Sequence, residues 1–368
     1  MTKPTSTSND GVLHLATART WRGGEQQLVY LVRGLHALGI RQHVLCREGS
    51  ELAQRLVHES CTVAYTSRRF TLAAALAREV EREKIAIVHT HDSHAHSAAV
   101  VAATMFGMKA PIVVSRRVDF PVSRSVTSRW KYRHASIKAY ICVSAAVKAI
   151  LAPSVQPDIL YVVHDGVEPW SGDPAARAAL RAELGLPNDA LLVGNVSALA
   201  DHKDHPTFLR TAMRVLQGRA DVTFVLAGSG PEEVHIRALI DELGISRSVF
   251  LLGFRSYPRG IIAALDVFLM TSKTEGLGSV VLDAQMCGIP VVATKAGGIP
   301  EIVDDGRTGL LADIGDAETL ARLVGQILGN AEERRALAAA GLARATYWDY
   351  HRMSGETAAV YSSVLNNG

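Results

Sequence analysis

Short apolar runs alternate along this chain with stretches in which apolar side chains recur every three or four positions. The runs predict buried strands, and the periodic stretches predict helices that cover them. Gly11–Ala18 reads as a strand leading into the loop Arg19–Gly24. Glu25–Leu38 follows as a helix, with Leu28, Leu31, Val32, Leu35 and Leu38 on one face and Gly39 just past its end. The same rhythm predicts strands at Gln42–Cys46, Thr62–Tyr65, Ile85–Thr90, Pro111–Ser115, Ala139–Val143 and Ile159–Val163. Between them it predicts helices at Glu51–Glu59, Leu72–Glu83, Ser93–Met105, Ser125–Ser136 and Ala145–Leu151.

Glu168–Pro174 (EPWSGDP) breaks the rhythm with two prolines and a glycine, and reads as a linker. The pattern then restarts. Strands are expected at Ala190–Val196, Val222–Ala227, Val249–Leu252, Val267–Met270 and Gly309–Ala312. Helices are expected at Pro206–Leu216, Glu232–Leu243, Ala317–Leu328 and, last, roughly Tyr350–Leu365. Two doubly wound parallel α/β units in series are the simplest architecture for this order. The expected domains are residues 1–167 and 168–345, with a final helix over about 346–368 that could return to the first domain. Ligands of such sheets bind at the carboxyl ends of the strands, so two facing units predict a site in the cleft between them.

Composition changes this picture little. Forty-eight per cent hydrophobic and 20% charged is ordinary for a globular chain of 368 residues. No apolar run approaches the ~18 residues that span a bilayer, and the polar start MTKPTSTSND reads as a tail, not a secretory signal. Cys46, Cys61, Cys142 and Cys287 form no CxxC pair and are expected to be reduced thiols of a cytoplasmic protein. Charge adds more. Residues 1–167 carry 21 basic and 12 acidic side chains, whereas residues 168–368 carry 18 and 24. The basic half should meet something anionic.

The richest chemistry lies in Thr271–Glu301 (TSKTEGLGSVVLDAQMCGIPVVATKAGGIPE). It reads as strand end, glycine loop, helix, short strand and second glycine turn. Gly276 and Gly278 allow close approach of a ligand, and a helix starting near Gly278 aims free amides and its positive dipole end at the loop. Phosphate suits that end. Glu275 in the loop and Asp283 on the helix, with seven residues between them, suit hydroxyl groups beside the phosphate. A nucleotide sugar carries both.

In these residues the chain resembles the retaining glycosyltransferases of family 4, which have the GT-B fold: two Rossmann-like domains facing an interdomain cleft. The resemblance rests on E-G-L-G-x4-D followed by GIPVV and GGIPE, on Gly23-Gly24-Glu25, on Gly228-Ser229-Gly230-Pro231 and on Lys203. It implies that Glu275 contacts the donor sugar and Asp283 the ribose hydroxyls. Lys203 and the amides near Gly278 and Ser279 would hold the diphosphate, with Gly276, Leu277, Gly23, Gly24, Gly228, Ser229 and Gly230 shaping the donor site. The family usually has Glu where Asp283 stands, and an arginine where Ala198 stands. The missing cation would come from Arg255 or Arg22.

His89-Thr-His91-Asp92-Ser-His94-Ala-His96 closes the strand Ile85–Thr90. Family resemblance makes His91 a donor-sugar contact, with His94 the next match. The alternatives are a structural His89 with solvated His94 and His96, or a metal site, since HTHDSH nearly matches the HxHxDH run of metallo-hydrolases. Arg116–Lys138 holds seven basic side chains and one acid interleaved with Phe120, Val122, Val126, Trp130 and Tyr132. Its Arg116, Arg117, Arg124, Arg129, Lys131 and Arg133 suit an anionic membrane surface or a phosphorylated, lipid-linked acceptor, or else form one solvated helix face. No nucleic-acid-binding motif accompanies them.

The expected function is sugar transfer with retention from a UDP-, GDP- or ADP-sugar to a hydroxyl of a glycan, lipid-linked or small acceptor. The protein would be cytoplasmic and peripheral on the inner membrane, with no cofactor and no metal requirement. The rivals are a nucleotide-sugar epimerase or non-catalytic binding protein on the same fold, and the metal-dependent hydrolase on His89–His96. No GxxxxGK[ST] supports a P-loop NTPase, and no lysine context supports a pyridoxal-dependent phosphorylase.

Overall fold

A computed structural model of the chain describes residues 11–59, 61–66, 71–170, 172–173 and 175–366. The expected tail 1–10, and Ser171 and Pro174 of the expected linker, lie outside the described residues. The chain divides into two compact units, Met1–Gly166 with Tyr350–Gly368, and Val167–Asp349.

In the first unit the chain runs β1 (Gly11–Leu15), α1 (Gly23–Ala37), β2 (Gln42–Arg47), α2 (Glu51–Leu56), β3 (Thr62–Thr66), α3 (Leu72–Arg82), β4 (Ile85–Thr90) and α4 (Ser93–Met105). It continues through β5 (Ile112–Arg116), α5 (Val126–Tyr132), β6 (Ile137–Cys142), α6 (Ala145–Leu151) and β7 (Leu160–Val162). The strands form one parallel sheet in the order β3-β2-β1-β4-β5-β6-β7. The order reverses between β1 and β4, which makes the carboxyl ends of those two strands the ligand-binding position of this sheet.

The second unit runs α7 (Ala176–Glu183), β8 (Leu191–Val196), α8 (His205–Gly218), β9 (Val222–Ala227), α9 (Glu233–Glu242), β10 (Val249–Gly253), α10 (Pro258–Ala263) and β11 (Val267–Met270). Then come α11 (Ser279–Met286), β12 (Val291–Thr294), α12 (Ile299–Ile302), β13 (Leu310–Ala312), α13 (Ala317–Gly329) and α14 (Ala331–Tyr347). Its parallel sheet has the order β10-β9-β8-β11-β12-β13, with the reversal between β8 and β11. The last helix, α15 (Tyr350–Asn366), belongs to the first unit.

Burial explains why these elements hold. Val12, Leu31, Leu35, Ile87 and Val113 form a core in the first unit with Met353, Val360 and Tyr361 of α15. Each such side chain contributes about 1.5–3 kcal/mol by leaving water. The backbones of α1 and α15 approach so closely that a Cβ on Gly34 would lie 2.0 Å from the Ser354 hydroxyl oxygen. In the second unit Phe208 and Phe224 meet edge to face at 5.9 Å within a core of Leu, Ile and Val from α8, α9, α13 and one face of the sheet. Cys46 and Cys142 are buried and Cys61 and Cys287 half-buried, all four as free thiols.

Among the described helices α7, α10, α12 and α14 were not legible in the hydrophobic pattern, and α12 is only four residues long. On α7 a fully buried charge, Arg181, stands at a core position and pairs with Asp266 at 2.9 Å, so the apolar stripe is interrupted. α10 is six residues long, too short to show a period. α14 buries only Leu337, Gly341 and Ala345, a single large apolar side chain followed by two small residues. The helix predicted over Ser125–Ser136 is shorter, Val126–Tyr132. No described helix is long and apolar enough to cross a membrane.

Candidate active site

In the second unit the carboxyl end of β8 leads through Ser197–Ala200 into a single 3-10 turn, Asp201–Lys203. Asp204 closes that turn in the left-handed region (φ 50°) and caps α8 through Thr207. The Thr271 hydroxyl, at the end of β11, donates to the carbonyls of Lys203 and Asp204 at 3.2 and 3.0 Å. The Lys273 amide donates to the His202 carbonyl at 2.8 Å. These bonds lock the lysine turn onto the loop that carries Glu275, and Lys203 and Glu275 form an ion pair. The carboxylate oxygen that Lys203 reaches, Oε1, also accepts from the Ser272 hydroxyl at 2.7 Å.

The rest of the loop follows the sequence closely. Leu277 is buried, Gly278 is left-handed (φ 84°) and caps α11, and Ser279 is the first residue of that helix. The second glycine turn packs under it. The Gly298 amide donates to the Glu275 carbonyl at 3.3 Å. A Cβ on Gly297, which has φ 51°, would fall 1.7 Å from that same carbonyl oxygen. Gly297 is therefore required by close approach as well as by backbone conformation. Gly228-Ser229-Gly230 lies beside the β8 loop, where the Leu199 amide donates to the Ser229 carbonyl at 3.0 Å.

Asp283, on α11, is held by Arg259 of α10, whose Nε and Nη2 both donate to Oδ1, at 3.0 and 2.8 Å. Burial raises the Asp283 carboxyl above the usual range, and the guanidinium opposes that shift. Arg255, expected as a substitute phosphate cation, instead pairs with Glu183 of α7 and donates to the Leu252 carbonyl at 3.1 Å. Arg22 is exposed at the start of α1, where its amide donates to the Glu25 carboxylate at 2.9 Å. Gly23 and Gly24 open that helix.

In the first unit the histidine run does not converge on one point. Asp92 caps α4 by accepting from the His94 and Ala95 amides, and also binds Thr17 through amide and hydroxyl at 2.6 and 2.7 Å. His94 is exposed, while His96, expected in solvent by one alternative, is buried edge-on against Tyr132. His89 bonds the Tyr361 hydroxyl at 2.6 Å and the Ser115 hydroxyl at 2.8 Å. The histidine that joins His89 and His91 is one the sequence reading passed over, His14 of β1, the register partner of His89. Ring nitrogens of His14, His89 and His91 lie within 4.8 Å of one another. His14 Nδ1 is 3.0 Å from His91 Nε2, and His14 Nε2 is 3.2 Å from Gln42 Oε1.

The basic segment divides into two sets. Arg116 is buried and donates to the Tyr132 hydroxyl at 2.8 Å, Arg117 pairs with Asp165, and Lys131 donates to the Ser93 carbonyl at 2.8 Å. Arg124, Arg129 and Arg133 are exposed, and so are Phe120, Val126 and Trp130. The residues missed by sequence reading are thus Ser272, Arg259, His14 and Gln42. The one signal for His14 was a polar residue inside an otherwise apolar strand, GVLHL.

Comparison with known proteins gives the family of the chain. Residues 176–344 match the family described as Glycosyl transferases group 1, and residues 21–170 match Glycosyltransferase Family 4. The lipopolysaccharide core biosynthesis glycosyltransferase LpsE of Rhizobium meliloti is 27% identical over 324 residues, 87% of this chain and 89% of that one. The N-acetyl-alpha-D-glucosaminyl L-malate synthase of Bacillus anthracis is 26% identical over 285 residues, 76% of this chain and 74% of that one. The structure of Anabaena HepE in complex with UDP and glucose matches with a TM-score of 0.84 at 22% identity, over 96% of this chain and 100% of that one. Two parallel sheets with their helices, and family matches over both halves, place this chain among the GT-B-fold glycosyltransferases of family 4, group 1.

Proposed function

We propose that the protein transfers a sugar, with retention at the anomeric carbon, from a nucleoside diphosphate sugar to a hydroxyl of a glycan or lipid-linked acceptor. The observation that carries this reading is the Lys203–Glu275 pair at the carboxyl ends of β8 and β11, beside the first turn of α11. A cation and a helix end suit a diphosphate. The carboxylates of Glu275 and Asp283 suit hydroxyls on the sugar and the ribose.

In this mechanism the bond from the anomeric carbon to the diphosphate oxygen breaks, and its electron pair leaves with the diphosphate. Lys203 and the amides at Gly278 and Ser279 stabilise the departing charge. The acceptor hydroxyl attacks the same face and passes its proton to the leaving diphosphate oxygen. Among the described residues around Glu275, no second carboxylate is nominated as a nucleophile, and front-face substitution needs none. Charge stabilisation by Lys203 and α11 also predicts that transfer continues in EDTA. LpsE, the relative matched over most of both chains, is named for lipopolysaccharide core biosynthesis, which supports a cell-surface glycan acceptor. The exposed set of Arg124, Arg129 and Arg133 beside Phe120, Val126 and Trp130 supports a peripheral position on an anionic membrane.

Thermal-shift screening against UDP, GDP, ADP and their sugars tests the donor, because a ligand of the native state raises its melting temperature. With the donor found, proton NMR of the first product reads the anomer. No shift with any nucleotide, or an inverted product, would sink the reading.

A further inference from the structure

We propose that His14 and Gln42 are positioning residues that fix His91 as its Nε2–H tautomer, so that its bare Nδ1 accepts a hydrogen bond from a sugar hydroxyl at the carboxyl ends of β1 and β4. The sugar half of this inference rests on the function proposed above. The tautomer half stands apart from that function, on hydrogen-bond geometry and burial.

The proton positions are set from a backbone carbonyl outward. Val32 O can only accept, and Gln42 Nε2 donates to it at 2.9 Å. That fixes the amide, so Gln42 presents Oε1 to His14 Nε2 at 3.2 Å. A carboxamide oxygen can only accept, so His14 Nε2 carries the hydrogen. His14 is fully buried, and burial lowers its pKa to about 4, so the ring is neutral and Nδ1 is bare. His91 Nε2, 3.0 Å away, must then donate. His91 is neutral for the same reason, and burial holds its pKa well below the usual value. Its remaining nitrogen, Nδ1, is therefore a lone-pair acceptor.

That atom is buried and has no hydrogen-bond partner among the described residues. A buried bare acceptor is destabilising until a donor reaches it. The His91 amide donates to the Leu15 carbonyl at 3.0 Å, which holds this residue at the carboxyl ends of β1 and β4, where the strand order reverses and ligands bind. A neutral imidazole that accepts cannot act as a general acid toward the leaving group. It can select for a hydroxyl on the sugar. The register explains how distant residues meet: Val12 pairs with Gln42, and His14 pairs with His89, so the side chains of residues 12, 14, 42 and 89 share one face of the sheet.

The test is long-range proton–nitrogen NMR on the 15N-labelled full chain, comparing wild type with His14→Leu, His14→Asn and Gln42→Leu. The wild type should show His91 with hydrogen on Nε2 and a bare Nδ1. His14→Leu should mix the tautomers, Gln42→Leu should do so partly, and His14→Asn, whose amide oxygen can replace the acceptor, should restore the single form. A His91 Nδ1–H in the wild type, or a tautomer indifferent to His14→Leu, would overturn the proposal. So would stoichiometric metal in the purified protein together with nitrogen shifts of metal-bound rings, since a shared ion would replace the His14–His91 bond. For the sugar half, UDP-glucose, GDP-mannose and ADP-glucose are each added. The one that raises the melting temperature should shift His91 Nδ1, while its nucleoside diphosphate alone should not. With that donor His14→Leu should lose about tenfold in kcat/KM, and His14→Asn should recover most of it. A bound sugar that leaves His91 Nδ1 unmoved overturns the sugar half. No thermal shift with any donor refutes the function itself and the sugar half with it, while the tautomer half is still decided by the His14→Leu spectrum.

Discussion

Lys203 and Glu275 lie 72 residues apart in sequence and form an ion pair through the same carboxylate oxygen that accepts from Ser272. The pair is positioned by backbone bonds on both sides, so its two members can be altered without removing a core contact. Glu275→Ala should lower transfer by about 100-fold or more, as loss of a charge-positioning group does, and leave the melting temperature within a few degrees. Lys203→Met should weaken binding of the bare nucleoside diphosphate, read by calorimetry. A folded Glu275→Ala protein with normal turnover removes that residue from the site.

Gly297 gives a prediction about shape. A methyl group there would collide with the Glu275 carbonyl, whereas one on Gly306, also at positive φ (76°), meets nothing within 4 Å. Both alanine variants incur backbone strain of about 1 kcal/mol. Only Gly297→Ala should also displace the Glu275 loop, losing activity as Glu275→Ala does. Equal activity in the two variants would show that the loop tolerates the displacement.

Arg259 holds Asp283 by two hydrogen bonds to one oxygen. If Asp283 binds the ribose, Arg259→Ala should raise the donor KM about tenfold with little change in kcat, the signature of lost uniform binding. A donor with a 2′-deoxyribose should suffer less from the substitution. If both donors are equally affected, Asp283 acts on some other part of the ligand.

The exposed basic and aromatic residues around α5 predict salt-sensitive binding to vesicles containing anionic lipid. Co-sedimentation should fall with rising ionic strength. Trp130→Ala and Arg129→Glu should each weaken it without changing transfer to a soluble acceptor. Equal binding to neutral vesicles would leave this surface without a membrane role.

Buried histidines predict the acid side of the stability curve. Burial lowers the pKa of His14 to about 4, of His205 to about 4 and of His96 to about 3. The unfolded chain titrates near 6.5, so below that pH it binds protons that the folded protein refuses. Stability is fully present above pH 6.5 and is lost as pH falls toward 4. His96→Phe removes one of these groups and should make the decline of melting temperature over this window shallower. An unchanged slope would mean that His96 is protonated in the fold.

Much of this was legible because both sheets are parallel and buried on two faces, so strands appear as uninterrupted apolar runs. Ile85–Thr90, Val222–Ala227 and Val267–Met270 have the predicted bounds. The glycine loop was legible because backbone conformation leaves a direct trace in residue type: Gly278 and Gly297 both have positive φ. Side-chain partnerships left no such trace. Nothing local to Asp283 announces Arg259, and nothing in HTHDSH announces His14, which the register of β1 against β4 brings in from 77 residues away. Adjacency in sequence misleads here, since the helix that follows β4 turns His94 and His96 in other directions.

The placement of α15 bears on how the molecule is made. The first unit is assembled from segments on either side of the second, which is an insertion within it. Tyr361, which bonds His89, and Met353, Val360 and Val364 of the first core leave the ribosome after the whole of the second unit. During synthesis the inserted unit can therefore finish folding while the earlier one still lacks a wall. The histidines of β1 and β4, translated before the second unit, wait until α15 emerges after it before their surroundings are complete.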